Sequence, residues 1–125
     1  MTRLRLEILQ WTGLLLGAIA VVTAYVFAFG VTEAECNAGR VERWGIENDV
    51  WQGAAMGAGC VLILIAQAAA FLALRATRRV SYEDPPAAGR IRFFAITALL
   101  ANALFLGILV LTGIGATVNA TCRQA

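Results

Sequence analysis

The chain contains no histidine and no lysine, and Ser81 is its only serine. Each absence removes a chemistry. Membrane haem is ordinarily held by histidine. Zinc and copper sites want clustered cysteine, histidine or carboxylate. Serine hydrolysis of the usual kind needs a histidine base. Charge is missing too, from three long stretches. Residues 8–32, 50–74 and 93–122 contain no Asp, Glu, Lys, Arg or His, and together they make up almost two thirds of the chain. A charge inside a bilayer is expensive and marks ion paths, proton relays or catalysis. Besides Cys60 and Cys122, the stretches offer only Gln, Asn, Thr, Tyr25 and Met56 as polar or soft groups. The expectation is a chain that is not an enzyme, with no catalytic, metal-binding or cofactor-binding residue. Neither a nucleic-acid partner nor a small-molecule substrate is expected.

What is present is grease. The composition is 60% hydrophobic and 14% charged, with mean hydropathy +0.75. That is the membrane class. A hydrocarbon layer about 30 Å thick needs about 20 apolar residues in a helix, and each stretch exceeds this. The sequence therefore predicts an all-α membrane protein of three transmembrane helices. It forms a single transmembrane domain, residues 1–125, with spans near 8–32, 50–74 and 93–117. The first stretch is longer than the 7–15 residues of a secretory h-region, which predicts an uncleaved anchor.

All ten basic residues are arginine, and alanine is abundant, a usage typical of GC-rich bacterial genomes. Arg3 and Arg5 precede the first stretch, and Arg75, Arg78, Arg79, Arg90 and Arg92 separate the second from the third. Arg40, Arg43 and Arg123 fall on the other side, with Glu33, Glu35, Glu42, Glu47 and Asp49 in the first connecting loop. The positive-inside rule then gives a cytoplasmic N-terminus and an external C-terminus in the bacterial inner membrane. The five arginines between stretches two and three have two readings. They determine topology, or they also meet anionic lipid headgroups, each worth about 1 kcal/mol near the surface.

Small residues recur on the first stretch at Gly13, Gly17, Ala20, Ala24 and Ala28, in steps of three and four that share one helical face. Membrane helices associate through close packing at such residues. The stripe reads as a docking seam for another helix, against the alternative of alanine abundance alone. On the second stretch, Gly53 and Gly57 form a small-xxx-small pair, with Cys60 on the same face. Trp11 and Trp51 fall where interfacial indoles sit, and Asn48 or Asp49 could cap the second helix. Pro85 and Pro86 interrupt helix before the third span. The third helix is expected to loosen near Gly115, leaving 117–125 as an external tail.

Two constellations stand out. Cys36 and Cys122 both fall outside the cytoplasm on this topology, where disulfides persist. A bridge between them would close a loop of about 85 residues, nominally worth a few kcal/mol. Separate thiols, or a bond to another subunit, are the alternatives. Cys60, near mid-bilayer, reads as a free packed thiol. Gln67 and Asn102 lie about 10 and about 14 Å from the inner ends of their spans. They could hydrogen-bond to each other, or contact a quinone, a lipid or a partner helix.

Asp84-Pro85-Pro86 leading into Gly89-Arg90-Ile91-Arg92-Phe93-Phe94, then a final apolar span and a terminal cysteine tail, covers the last 45 residues or so. This pattern resembles small uncharacterised bacterial membrane proteins associated with haem-copper cytochrome c oxidases. The resemblance implies no functional residue. It implies an accessory subunit whose partners are other membrane-protein subunits and lipids. A small homo-oligomeric channel or transporter is a second expectation, and a transient assembly factor a third.

Overall fold

The computed structural model describes residues 2–37, 47–79 and 86–118. Three helices occupy them: α1 (Arg3–Asn37), α2 (Asn48–Thr77) and α3 (Pro86–Val118). All three are long and apolar enough to cross a membrane, so the chain is a multi-pass α-helical membrane protein. At 1.5 Å per residue the helices are about 52, 45 and 50 Å long, well beyond the hydrocarbon thickness. α1 and α2 extend past their apolar stretches at both ends, and α3 past the start of its own, because a helix satisfies its own backbone wherever it runs. The third does not loosen near Gly115 but continues to Val118; residues 119–125 lie outside the described part.

The helix ends follow simple rules, with one correction. α3 opens on Pro86, where the missing N–H of proline costs nothing. The N-cap of α2 is Glu47, in extended conformation and with no side-chain cap bond. Its carbonyl accepts from the amides of Val50 (3.1 Å) and Trp51 (3.3 Å). Asn48 and Asp49, expected as caps, are instead the first helical residues. Asn48 is buried there, and Asp49 favours the positive end of the helix dipole.

α2 is the central element and packs antiparallel against both neighbours. α1 and α3 run parallel and touch at fewer points. Trp11 stacks on Phe94 at one end (6.5 Å between centroids), and Phe27 tilts against Trp51 at the other (6.1 Å). These pairs define a Trp11 end and a Trp51 end of the bundle.

The core is built from small residues. Ala20, Ala24 and Ala28 of α1 meet Met56 and Ile63 of α2 and Leu109 of α3. Ala66, Ala69, Ala70 and Ala73 of α2, and Ala95 and Ala98 of α3, extend it toward the Trp11 end. Without a hydrophobic drive between helices in lipid, backbones must approach closely to gain dispersion contacts, and only small side chains permit that. Ile63 and Leu109, both fully buried, are the large side chains among them. A Cβ on Gly59 would stand 2.7 Å from Leu109 Cδ1 and 3.3 Å from Ala24 Cβ, so Gly59 forms the hollow that receives this side chain. No more than a third of any span is buried within the chain, 22% for α3 and 33% for α2. The remaining surface faces lipid or other proteins.

Candidate functional site

The seam on α1 forms as its spacing predicts. Gly13, Gly17, Ala20, Ala24 and Ala28 are all buried along one line. Its partners, however, are internal. A Cβ on Gly13 would stand 2.9 Å from Ala70 Cβ and 3.0 Å from the Ala70 backbone, and Ala24 lies against Gly59. The stripe is therefore closed by α2 and α3. It cannot also receive a helix from another subunit, as the sequence alone suggested.

Asn102 is the polar centre of this seam. It is 1% exposed, and its Nδ2 donates to the carbonyl of Gly13 at 2.9 Å, joining α3 to α1. A carbonyl has two lone pairs, so it can accept this bond besides its helical one. The Oδ1 atom has no hydrogen-bond partner. It lies over Gly17, where any Cβ would overlap it. The Gly17 hydrogen standing in place of a side chain points at this oxygen, a weak Cα–H···O contact that only glycine provides. Gly13 and Gly17 thus serve one buried amide.

Gln67 does not pair with Asn102. Its Nε2 reaches the carbonyl of Leu99 at 3.4 Å, and its Oε1 is buried without a partner. The two amides bond to different helices: Asn102 to α1 and Gln67 to α3. Two further bonds cross between helices toward the Trp51 end. Tyr25 and Thr112 share a hydroxyl bond of 2.6 Å between α1 and α3. Gln52 Nε2 donates to Thr32 Oγ1 at 2.7 Å, while that hydroxyl donates to Ala28 O at 2.9 Å. Spacing along the chain gave no sign of either bond.

Gly53 and Gly57 behave differently from the α1 glycines. Nothing lies within 4 Å of a Cβ built on either one. Gly57 is exposed and stands almost opposite the buried stripe of Met56, Gly59, Ile63 and Ala66. With exposed Val61 and Leu64 above it, it leaves a shallow notch on the outer face of α2. Cys60 is half-buried and packs on the core. Of the cysteines in the described residues, Cys60 is a free thiol and Cys36 is not. Cys122 lies outside the described residues.

Charge is separated along the bundle. Arg75, Arg78 and Arg79 close α2, and Arg90 and Arg92 lie in the first turns of α3, so all five share the Trp11 end with Arg3 and Arg5. Glu33, Glu35, Glu47 and Asp49 lie at the Trp51 end. Among the described residues, no three or more His, Cys, Asp or Glu side chains group in a way that could hold a metal ion. No protein-family model, curated protein or solved structure matches the chain.

Proposed function

We propose that this chain is a non-catalytic accessory subunit of a multisubunit bacterial membrane complex, with a respiratory terminal oxidase or supercomplex as the leading partner. One observation carries the reading. The polar groups that link the helices, namely Asn102, Gln67, Gln52, Thr32, Tyr25 and Thr112, are engaged with one another or with backbone inside the bundle. The outer surface keeps large apolar side chains such as Val61, Leu64, Leu100, Leu104 and Leu111. A surface of that kind acts by contact. The oxidase assignment rests on the resemblance of the last 45 residues or so.

Gentle solubilisation followed by identification of co-purifying chains tests the function. A subunit travels one-to-one with the mature complex. A chain recovered only with copies of itself, and conducting ions in liposomes, is a channel instead. Substoichiometric recovery with immature complexes marks an assembly factor.

On this reading the arginine-rich Trp11 end faces the cytoplasm and the acidic Trp51 end faces outward. Cys36 then meets Cys122 in an oxidising space. Engagement of Cys36 while Cys60 stays free supports that pairing. Non-reducing peptide mapping is expected to recover a Cys36–Cys122 cross-linked peptide and alkylated Cys60. Alkylation of both Cys36 and Cys122 without reductant would reject the bridge.

A further inference from the structure

We propose that the cleft between the start of α1 and the end of α2 is a seat for one anionic phospholipid. Leu6, Leu72, Arg75 and Ala76 line this open cleft of about 470 Å³ at the Trp11 end. Three of the four are aliphatic and would line a hydrocarbon tail. The fourth carries a charge with no counter-charge among the described residues. The Arg75 guanidinium lies 5.6 Å over the Phe71 ring, and no carboxylate pairs with it among the described residues. Glu7, the one described acid at this end, is held by Arg3 at 3.3 Å.

Charge complementarity selects the occupant. Arg5, Arg78, Arg79 and Arg90 add positive field around the same end. A zwitterionic lipid would fill the apolar wall and offer a phosphate, but it would carry its own ammonium group into the positive field of these arginines. A soluble anion would satisfy Arg75 and leave Leu6 and Leu72 uncovered. A phosphodiester carried on acyl chains with no cation of its own does both. Its two free oxygens match the guanidinium fork, which binds phosphate more tightly than a point charge would. The seat rests on the chain crossing a membrane, and not on which side the Trp11 end faces. It narrows a diffuse headgroup contact over five arginines to one lipid at one of them.

Native mass spectrometry of the full chain in detergent tests this, with phosphatidylglycerol and phosphatidylcholine of identical acyl chains as probes. One phosphatidylglycerol is expected to stay bound at collision energies that strip phosphatidylcholine. Arg75→Gln should weaken its retention about tenfold, the loss of one charge-assisted bond. Ala76→Phe, which fills the cleft and keeps the charge, should do the same. Arg78→Gln and Arg79→Gln should change retention far less. Circular dichroism of each variant should match the parent, since Arg75 and Ala76 are both exposed. Equal losses from all three arginine variants would show diffuse charge and overturn the seat. So would equal retention of phosphatidylcholine, or displacement of the lipid by inorganic phosphate. Failure to retain any lipid, in a chain that still fractionates with membranes, would overturn the seat and leave the membrane assignment standing.

Discussion

Gly17→Ala, the smallest substitution available, should lower the stability of the bundle by about 1–3 kcal/mol. In water, glycine to alanine inside a helix gains up to about 1 kcal/mol of propensity. That gain is outweighed here. The new methyl would overlap Asn102 Oδ1, and over-packing of a tight core costs about 1–3 kcal/mol. If Asn102 swings away, its bond to Gly13 O is lost, worth about 0.6–2 kcal/mol in a membrane bundle. Unfolding in mixed micelles, or by steric trapping, gives the value. Asn102→Ala alone should cost less, because it removes an unpartnered oxygen together with the bond. In the double variant the methyl finds room, so the two losses should fail to add by at least about 1 kcal/mol. Gly57→Ala is the control, since it faces open space and should leave stability unchanged or raise it by up to about 1 kcal/mol. Parent-like stability of Gly17→Ala would mean that Asn102 does not sit over Gly17.

The second large effect is on association. Replacing Gly53 and Gly57 together by leucine should reduce recovery of the partner complex about tenfold, equivalent to roughly 1.4 kcal/mol, and leave the isolated chain folded. Nothing lies within 4 Å of a Cβ built on either glycine, so a side chain leaves α2 there into open space. A helix docked on the notch would be held off by the added side chains and lose the backbone approach that sustains packing in lipid. The same double substitution at Gly13 and Gly17 should destroy the fold first, because those positions are closed by Ala70 and Asn102. Unchanged co-purification of the Gly53/Gly57 variant would remove the outer face of α2 as the docking surface.

Much of the architecture was legible in the order of residues. Three uninterrupted apolar runs give three spans, and the small residues from Gly13 to Ala28 mark the buried line of α1 without error. The partner of that line was not legible. A stripe of small residues says that something approaches closely, and not whether the approaching helix belongs to the same chain. The Gln67–Asn102 pairing failed for a related reason. Counting residues fixes depth along each axis, whereas a hydrogen bond also needs the rotation of each helix about its axis, and tertiary packing sets that. Gly59 was hidden because its role depends on Leu109, fifty residues away in sequence. The cap of α2 lies one residue before Asn48 and two before Asp49, since Glu47 holds the turn through its carbonyl, a group every residue has.

The alanine-rich core has a mechanical consequence. A row of methyl groups is nearly smooth along its length. If α1 slid by one turn, about 5.4 Å, Gly13 would take the place of Gly17, Ala20 that of Ala24 and Ala24 that of Ala28, with little change in buried area. Two catches fix the alignment of the bundle: the Asn102 amide clipped between Gly13 and Gly17 forbids the slide of α1, and Leu109 lodged in the hollow at Gly59 forbids the matching slide of α3 along α2. They sit at different heights and act like detents on a rail. A chain stripped of both would stay bundled while its helices slipped among neighbouring alignments.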